Sequence, residues 1–559
     1  FTQMPEIKPI KIIIQYDQLL SSAGEFGLYQ LLLLLGTMPF YMFGVYSYYS
    51  QIFITEMSSN HWCWIPELEN LTYIERRNLA IPSEDSEYGY SRCTAFIANW
   101  TELLETGQVP HETWQTAPCQ HGWEFDKSEI PYPTIGSELG WVCDKSSYQA
   151  TAQSLFSIGS IFGCLLFGWM SDRFGRIPAA VTANLFGFVG GTASSFTNSF
   201  ISFTICRFIM GMSYDSNMVI IYVLVLEYVA PKYRSIMANV AFALFYTIFV
   251  TSLPFMALAL ANWKLIALVT SVPFALALFT PFFMPESPRW LLSKGRVDEA
   301  VQKIARNNRK HVPAEIITQF KETIEREQAK DQVSIYELFK NPLLRKNIIL
   351  VCLVYITCQT ILDCLFRSLG QLQFNLFISF AASSATELPS MLLCAFFLDV
   401  LGRRWLTVSM LTITSVACIL IMLVQPGVQS VVCAIIARFV INTATGATIQ
   451  WSAEMLPTTP VRGLGVAFVI ISANLGMVSS PYISFLKIYS FWLPYMVMAS
   501  LAGFGAVIAF MLPETANTKM PRTFEEAESL ARNQKFWNIP YFGTDKKKNE
   551  GEVNQGFSL

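Results

Sequence analysis

The sequence predicts an all-α membrane protein in which twelve transmembrane helices form two pseudo-symmetric six-helix bundles. Three observations carry that prediction. Apolar residues make up 52% of the chain and charged residues 14%, with a mean hydropathy of +0.38, so most of it suits lipid better than water. Twelve stretches approach the ~20 apolar residues needed to cross ~30 Å of hydrocarbon. Charged landmarks of the first half also return in the second half at one fixed offset.

The twelve stretches lie near 26–54, 147–169, 177–198, 201–229, 235–258, 263–284, 347–367, 372–398, 405–424, 429–452, 464–485 and 488–512. Lys and Arg accumulate on the cytoplasmic side of membrane proteins. Segment 285–346 holds 13 of them, whereas 55–146 holds 5 against 15 acidic residues. The expected organisation is therefore a cytoplasmic segment 1–25 and a first bundle 26–284 that includes an extracellular loop 55–146. A cytoplasmic linker 285–346, a second bundle 347–512 and a cytoplasmic tail 513–559 follow. Between Val297 and Ala329 the charge and apolar spacing predict amphipathic surface helices. Lys546, Lys547 and Lys548 agree with a cytosolic C-terminus. The chain opens on Phe1 rather than Met, and no short cleavable leader is expected.

Eight of the twelve cysteines fall in apolar runs, where Cys packs as a small hydrophobe. Cys63, Cys93, Cys119 and Cys143 share the loop 55–146, which predicts two disulfides in an oxidising compartment and leaves three pairings open. The same loop carries glycosylation sequons at Asn70 and Asn99. A net charge of -2 offers no surface for nucleic acid, and four histidines argue against a multi-histidine metal site. Phosphate-binding loops and nucleophile–base spacings are not found, so neither enzyme activity, a cofactor nor ATP-driven pumping is expected. The expected partners are the bilayer and a small organic ion.

The internal repeat is the strongest structural signal. Asp172-Arg173-Phe-Gly175-Arg176 returns as Asp399-Val-Leu-Gly-Arg403-Arg404, 227 positions later, and Glu227 returns as Glu454 at the same offset. Basic residues follow at Arg234 and Arg462, while Arg207 and Arg438 open the fourth and tenth helices at a slightly longer offset. Parallel halves of this kind describe a rocking transporter with its site at the midplane. Gly175 allows the tight turn after helix two, and the charges around it suit a latch that holds one state and releases another. Pro285-Glu286-Ser-Pro-Arg289 after helix six and Pro513-Glu514-Thr515 after helix twelve stop their helices and supply acids to these arginine clusters.

The turn after helix two resembles the loop signature of the major facilitator superfamily, which implies the major facilitator fold. Together with the large cysteine-bearing loop, Cys119-Gln-His-Gly-Trp123 and Trp141-Val-Cys143-Asp144, the chain from about 26 to 530 resembles solute carrier family 22, the organic cation, carnitine and organic anion carriers. Ser216-Asn217, Phe245-Tyr246 and Leu253-Pro254 look similar to the carnitine-type branch. The resemblance implies Asp in cation carriers, or Arg in anion and carnitine carriers, at the helix-eleven position where this chain has Asn474. Asp215 in helix four stands where the resemblance implies no acid, and Tyr355 matches an aromatic wall of the cation carriers.

Helical rise puts Asp215 about 18 Å from Glu227, Glu387 about 18 Å from Asp399 and Asn474 about 18 Å from Arg462, so all three lie near the midplane. Charges there cost about 3 kcal/mol and usually face a cavity or a partner. Asp215, Asn217, Glu387 and Asn474, with Tyr41, Phe245, Tyr246 and Tyr355 as an aromatic lining, are the candidate substrate contacts. Tyr46 and Tyr48 are further aromatic candidates. Asp363 and Arg367, four residues apart in helix seven, suit an ion pair or extracellular gate. The reading is a plasma-membrane carrier, facilitative or exchanging, of organic cations or zwitterionic amines. The alternatives are an organic anion or carnitine-like carrier using Arg367 or Arg438 as counter-ion and, more remotely, a non-transporting receptor or structural protein.

Overall fold

A computed structural model describes residues 27–84, 89–106, 110–111, 114–230, 233, 242–308, 339–372, 374–456, 460–516, 518, 521 and 524–532. Twelve long helices carry the fold: α1 (Leu28–Thr55), α2 (Tyr148–Phe174), α3 (Arg176–Ser194), α4 (Phe200–Glu227), α5 (Thr247–Leu260), α6 (Trp263–Phe283), α7 (Pro342–Ser368), α8 (Leu376–Leu401), α9 (Arg403–Leu423), α10 (Val428–Met455), α11 (Pro460–Phe485) and α12 (Leu493–Phe510). Among the described residues, eleven helices are long and apolar enough to cross a membrane. The exception to the expected twelve is α3, whose nineteen residues carry Asn184 and small Gly, Ala, Ser and Thr side chains packed inside the bundle.

Proline explains the irregular helices. Pro389 cannot donate to the carbonyl of Ala385, and α8 breaks at Thr386 into Leu376–Ala385 and Glu387–Leu401. The 3₁₀ stretch Val272–Phe279 in α6 begins at Pro273 in the same way. A π-turn, Phe242–Tyr246, leads into α5.

Within the first half α4 packs on α1, α2 and α3; within the second, α7 packs on α11 and α9 on α10 and α12. The halves meet through α2 against α11 and α5 against α8. At the α2–α4 contact, a Cβ on Gly163 would overlap the Met212 carbonyl and one on Gly211 the Phe156 carbonyl. These two helices therefore meet backbone to backbone.

The loop after α1 folds as a unit with its own core of Trp62, Leu68, Ile81, Phe96 and Trp100. Strands β1 (His61–Cys63) and β2 (Thr94–Phe96) pair antiparallel with β4 (Trp123–Phe125) and β3 (Thr116–Pro118) respectively. Of the three possible disulfide pairings the structure has Cys63–Cys119 and Cys93–Cys143. Asn70 and Asn99 are exposed. Glu124 pairs with Arg76 and accepts from Trp62 Nε1 at 3.1 Å, so the acid that the core half-covers is satisfied. Burial, helped by the charge of Arg92, pushes His61 down to about 4, which keeps it neutral above that pH.

Of the expected linker helices, Pro288–Ser293 and Val297–Asn308 are present, and 309–338 lies outside the described residues. So do residues 1–26, Arg234, the side chain of Arg462 and the lysines at 546–548. In the tail, the short helix Phe524–Arg532 docks on the start of α7, where Asn341 donates to Glu528 at 2.9 Å.

Candidate substrate site

The charges at the α2–α3 and α8–α9 turns assemble into two networks built on the same plan. In the first half, Arg176 reaches Asp172 at 3.0 Å and Glu227 at 3.6 Å. Glu286 accepts the backbone N–H groups of Arg176 and Ile177 at 2.8 and 3.1 Å, and Ser287 donates to Glu227. In the second half, Arg403 reaches Asp399 at 3.2 Å and Glu454 at 2.9 Å. Glu514 accepts the N–H groups of Arg403 and Arg404 at 2.9 and 3.0 Å, and Thr515 donates to Glu454 at 2.7 Å. Each carboxylate thus caps a helix N-terminus from a distance, where unpaired N–H groups and the helix dipole favour a negative charge. Gly175 and Gly402 turn the chain into α3 and α9 with φ of 111° and 82°. Arg289 lies close enough to Glu227 to act on its charge. Arg173 stays apart from these contacts: it is exposed and lies over the rings of Trp169 and Phe174 at 5.4 and 5.7 Å.

Asp215 sits where α2, α4 and α11 converge. The close α2–α4 approach brings Ser160 Oγ to 2.6 Å and Cys164 Sγ to 3.8 Å from Asp215 Oδ2. From the other half, Asn474 Nδ2 donates to the same oxygen at 2.8 Å. Ser154 and Ser157 on α2 also reach the carbonyls of Val478 and Met477, at 2.8 and 3.3 Å, which holds this seam in register. Tyr355 of α7 is near enough to interact with the Asp215 charge, so these three predicted residues do share one region. Asp215 is half-buried among these helices. A small cavity between α7, α10 and α11 is lined by Asn347, Val351, Ser452, Met455 and Val469.

The other interior acids have cationic partners. Glu387, buried at the break in α8, pairs with Arg438 of α10 at 3.1 Å, and that guanidinium lies over the Phe366 ring. Asp363 pairs with Arg367 at 2.8 Å, as their spacing predicts, and also accepts from Tyr48 of α1 and Ser480 of α11. Arg207 is 1% exposed and donates to Gln51 Oε1 at 2.7 Å and the Ser47 carbonyl at 2.8 Å.

The halves are held together at the end nearest the loop 55–146. Beside the Tyr48–Asp363–Arg367–Ser480 cluster, Tyr49 bonds Tyr246 at 2.9 Å and packs on Phe366 and Phe380. Phe53 stacks on Phe377, and Lys487 approaches Glu56 at 3.7 Å. Tyr246 is thus part of this outer seal. Tyr41 and Phe245 pack on each other within the first half, 6.2 Å apart. Tyr46 bonds Ser252 of α5 at 3.2 Å, again within that half. Asn217 makes no contact with Asp215; fully buried, it donates to the Phe40 carbonyl at 3.3 Å and ties α4 to α1.

Sequence reasoning missed Ser160, Cys164 and Ser480, because a hydroxyl or thiol in an apolar run gives no signal of its own. The repeat does carry one: Ser160 stands 227 positions before Glu387, and Asp215 stands 227 positions before Asn442.

A family model described as Sugar (and other) transporter matches residues 89–530. A carcinine transporter of Drosophila melanogaster is 31% identical over 95% of this chain and 82% of its own length. A mouse protein, solute carrier family 22 member 21, is 28% identical over 97% of this chain and 98% of its own. Among solved structures, the xylose transporter XylE of E. coli in a partially occluded inward-open form superposes with a TM-score of 0.58 at 14% identity, covering 88% of this chain and 99% of that one, a likeness of fold.

Proposed function

We propose that this chain, which belongs to the sugar (and other) transporter family and, within the major facilitator superfamily, to solute carrier family 22, carries small organic cations or zwitterionic amines across the plasma membrane by alternating access. It is a membrane transporter and not an enzyme; the substrate class, the plasma membrane and the cytoplasmic termini are our reading. One observation carries that reading. Of the three acids in the membrane interior, Asp363 and Glu387 are paired with arginines, whereas Asp215 meets only neutral donors among the described residues. An isolated carboxylate in a medium of low dielectric attracts a cation strongly, and an ammonium group is the partner it lacks.

The chemistry of one relative's named substrate agrees. Carcinine carries an amine and an imidazole and no carboxylate. Asn474 supplies a hydrogen-bond donor beside Asp215 without adding charge. Transport then follows from the halves rocking about the α2–α11 and α5–α8 seams, with the outer cluster around Asp363 opening as the cytoplasmic side closes. The pairing of Arg367 and Arg438 with carboxylates removes the two counter-ions on which an anion carrier would depend. The two disulfides and the acidic outer loop support a surface membrane with that loop outside.

Uptake of radiolabelled cation and anion panels into cells expressing wild type or Asp215→Asn tests this reading. We expect cation uptake by wild type and its loss in the variant. Cation uptake that the variant leaves unchanged removes Asp215 from the mechanism, and uptake confined to anions overturns the substrate class.

A further inference from the structure

Asp363 stands among groups suited to a cation. Tyr48 of α1 donates to one of its oxygens and Ser480 of α11 to the other. A carboxylate, a phenol ring and a hydroxyl drawn from three helices of both halves are the groups that hold an organic ammonium or guanidinium away from water. Here the guest is tethered. Arg367 donates from Nε to Asp363 Oδ2 at 2.8 Å, and its Nη2 donates to Oδ1 at 3.3 Å and to the Tyr48 hydroxyl at 3.1 Å. Its guanidinium carbon lies 5.6 Å from the centre of the Tyr48 ring.

The cluster adjoins the site proposed for the substrate. Tyr48 stacks on Tyr214 at 5.0 Å, and Tyr214 precedes Asp215 in α4 and lies close enough to both carboxylates to interact with each. α4 starts beside the loop, where Phe200 packs on Trp141. By helical rise Asp215 is about 22 Å from that start, whereas Asp363 is about 8 Å from the end of α7 at Ser368. Arg367 is one turn farther out than Asp363.

The hold on Arg367 depends on whether the halves are closed around it. Tyr48 belongs to the first half and Asp363, Arg367 and Ser480 to the second, so parting them removes Tyr48 and admits water. A buried pair is hard to break, but an exposed one on a single helix is formed only about five times as often as it is broken. Arg207 weakens it further, lying close enough to Arg367 for the like charges to repel.

We infer that Asp363, Tyr48 and Ser480 form a second cation site, in which Arg367 is a tethered stand-in for the substrate. This rests on the cation reading given above and adds to it the station a substrate occupies before Asp215. With the halves parted at this end, a cation bearing N–H groups (an ammonium, imidazolium or guanidinium) displaces Arg367 from Asp363. As the halves close, Arg367 returns at the high effective concentration that its tether confers, expels the cation toward Asp215 and seals the way back. A quaternary ammonium has no N–H to offer Asp363 and gains less from the site.

The test measures initial uptake of radiolabelled histamine over a range of outside concentrations, in cells expressing the full chain and per amount of protein at the surface. Arg367→Ala removes the stand-in. We expect the half-saturating concentration to fall about fivefold because the competitor is gone, and maximal uptake to fall because nothing clears the site. Guanidinium at millimolar concentration outside should restore maximal uptake in this variant by refilling Asp363, and should only inhibit wild type. Arg367→Lys keeps the charge and loses the two-point contact, so half-saturation should move the same way by about twofold; this variant decides if the alanine variant does not fold. For tetraethylammonium both shifts should be smaller. A half-saturating concentration for histamine that stays the same or rises in the variants overturns the site and leaves the cation reading standing. Absence of wild-type uptake for histamine, tetraethylammonium and every other cation tried overturns both.

Discussion

The two halves agree at the turns that join α2 to α3 and α8 to α9, and they disagree halfway along their helices. At those turns the networks match partner for partner, Arg176 with Arg403 and Glu227 with Glu454 at the offset of 227, Glu286 with Glu514 and Ser287 with Thr515 at 228. Halfway along, the positions equivalent to Glu387, Arg438 and Asn442 hold Ser160, Gly211 and Asp215. The C-terminal half carries its own ion pair there, and the N-terminal half carries a lone acid. Packing explains why no arginine stands at the position 227 residues before Arg438: at Gly211 even a Cβ would overlap the α2 backbone, and Arg207, one turn earlier, bonds Gln51 and Ser47 instead. The common element serves the motion that both halves share. The divergent element serves whatever binds between them.

Five single substitutions and one double variant break or sharpen this contrast. Arg438→Gln strands Glu387 in the interior and should cost about 3–5 kcal/mol of stability. Thermal unfolding in detergent reads that loss, and the double variant Glu387→Gln/Arg438→Gln should recover most of it. Asp215→Asn should do the reverse. Stability should hold or rise because an unpaired charge is gone, while cation uptake falls by roughly ten- to hundredfold, as expected for losing a charged contact worth about 1.5–3 kcal/mol. A large stability loss in that variant would mean that Asp215 is a structural acid like Glu387.

The latches are expected to respond alike. Glu286→Gln and Glu514→Gln each lose a charged acceptor at a helix N-terminus, worth about 1–2 kcal/mol, and should slow uptake to a similar extent. Unequal effects would show that the matching contacts are not used equally. The smallest change belongs to Ser160→Ala, which removes one of three donors to Asp215. A shift of about 1 kcal/mol, roughly fivefold in the half-saturating cation concentration, is expected, with maximal uptake little changed.

Much of this was legible in the chain. Hydropathy located the helices, the offset of 227 residues located the paired charge networks, and i,i+4 spacing anticipated Asp363 with Arg367. Those features are local or repeated, so one strand of text contains them. Arg173 was misplaced among the latch residues because a turn motif does not say which arginine faces inward. Asn217 looked like a neighbour of Asp215 because the two are close in sequence, yet two residues along a helix point about 200° apart.

By itself the sequence determined the class of the protein, its helices and its repeat, because length, hydropathy and spacing are properties of one dimension. Tertiary structure decided which charges are neutralised. Glu387 and Arg438 stand 51 positions apart, and Asp215 and Asn474 stand 259 apart. Only the packing of helices through close glycine contacts and proline breaks could bring the first two into a pair and leave Asp215 with neutral company. That distinction depends on ångström distances in a medium of low dielectric, where a neighbour at 3 Å changes what a carboxylate binds.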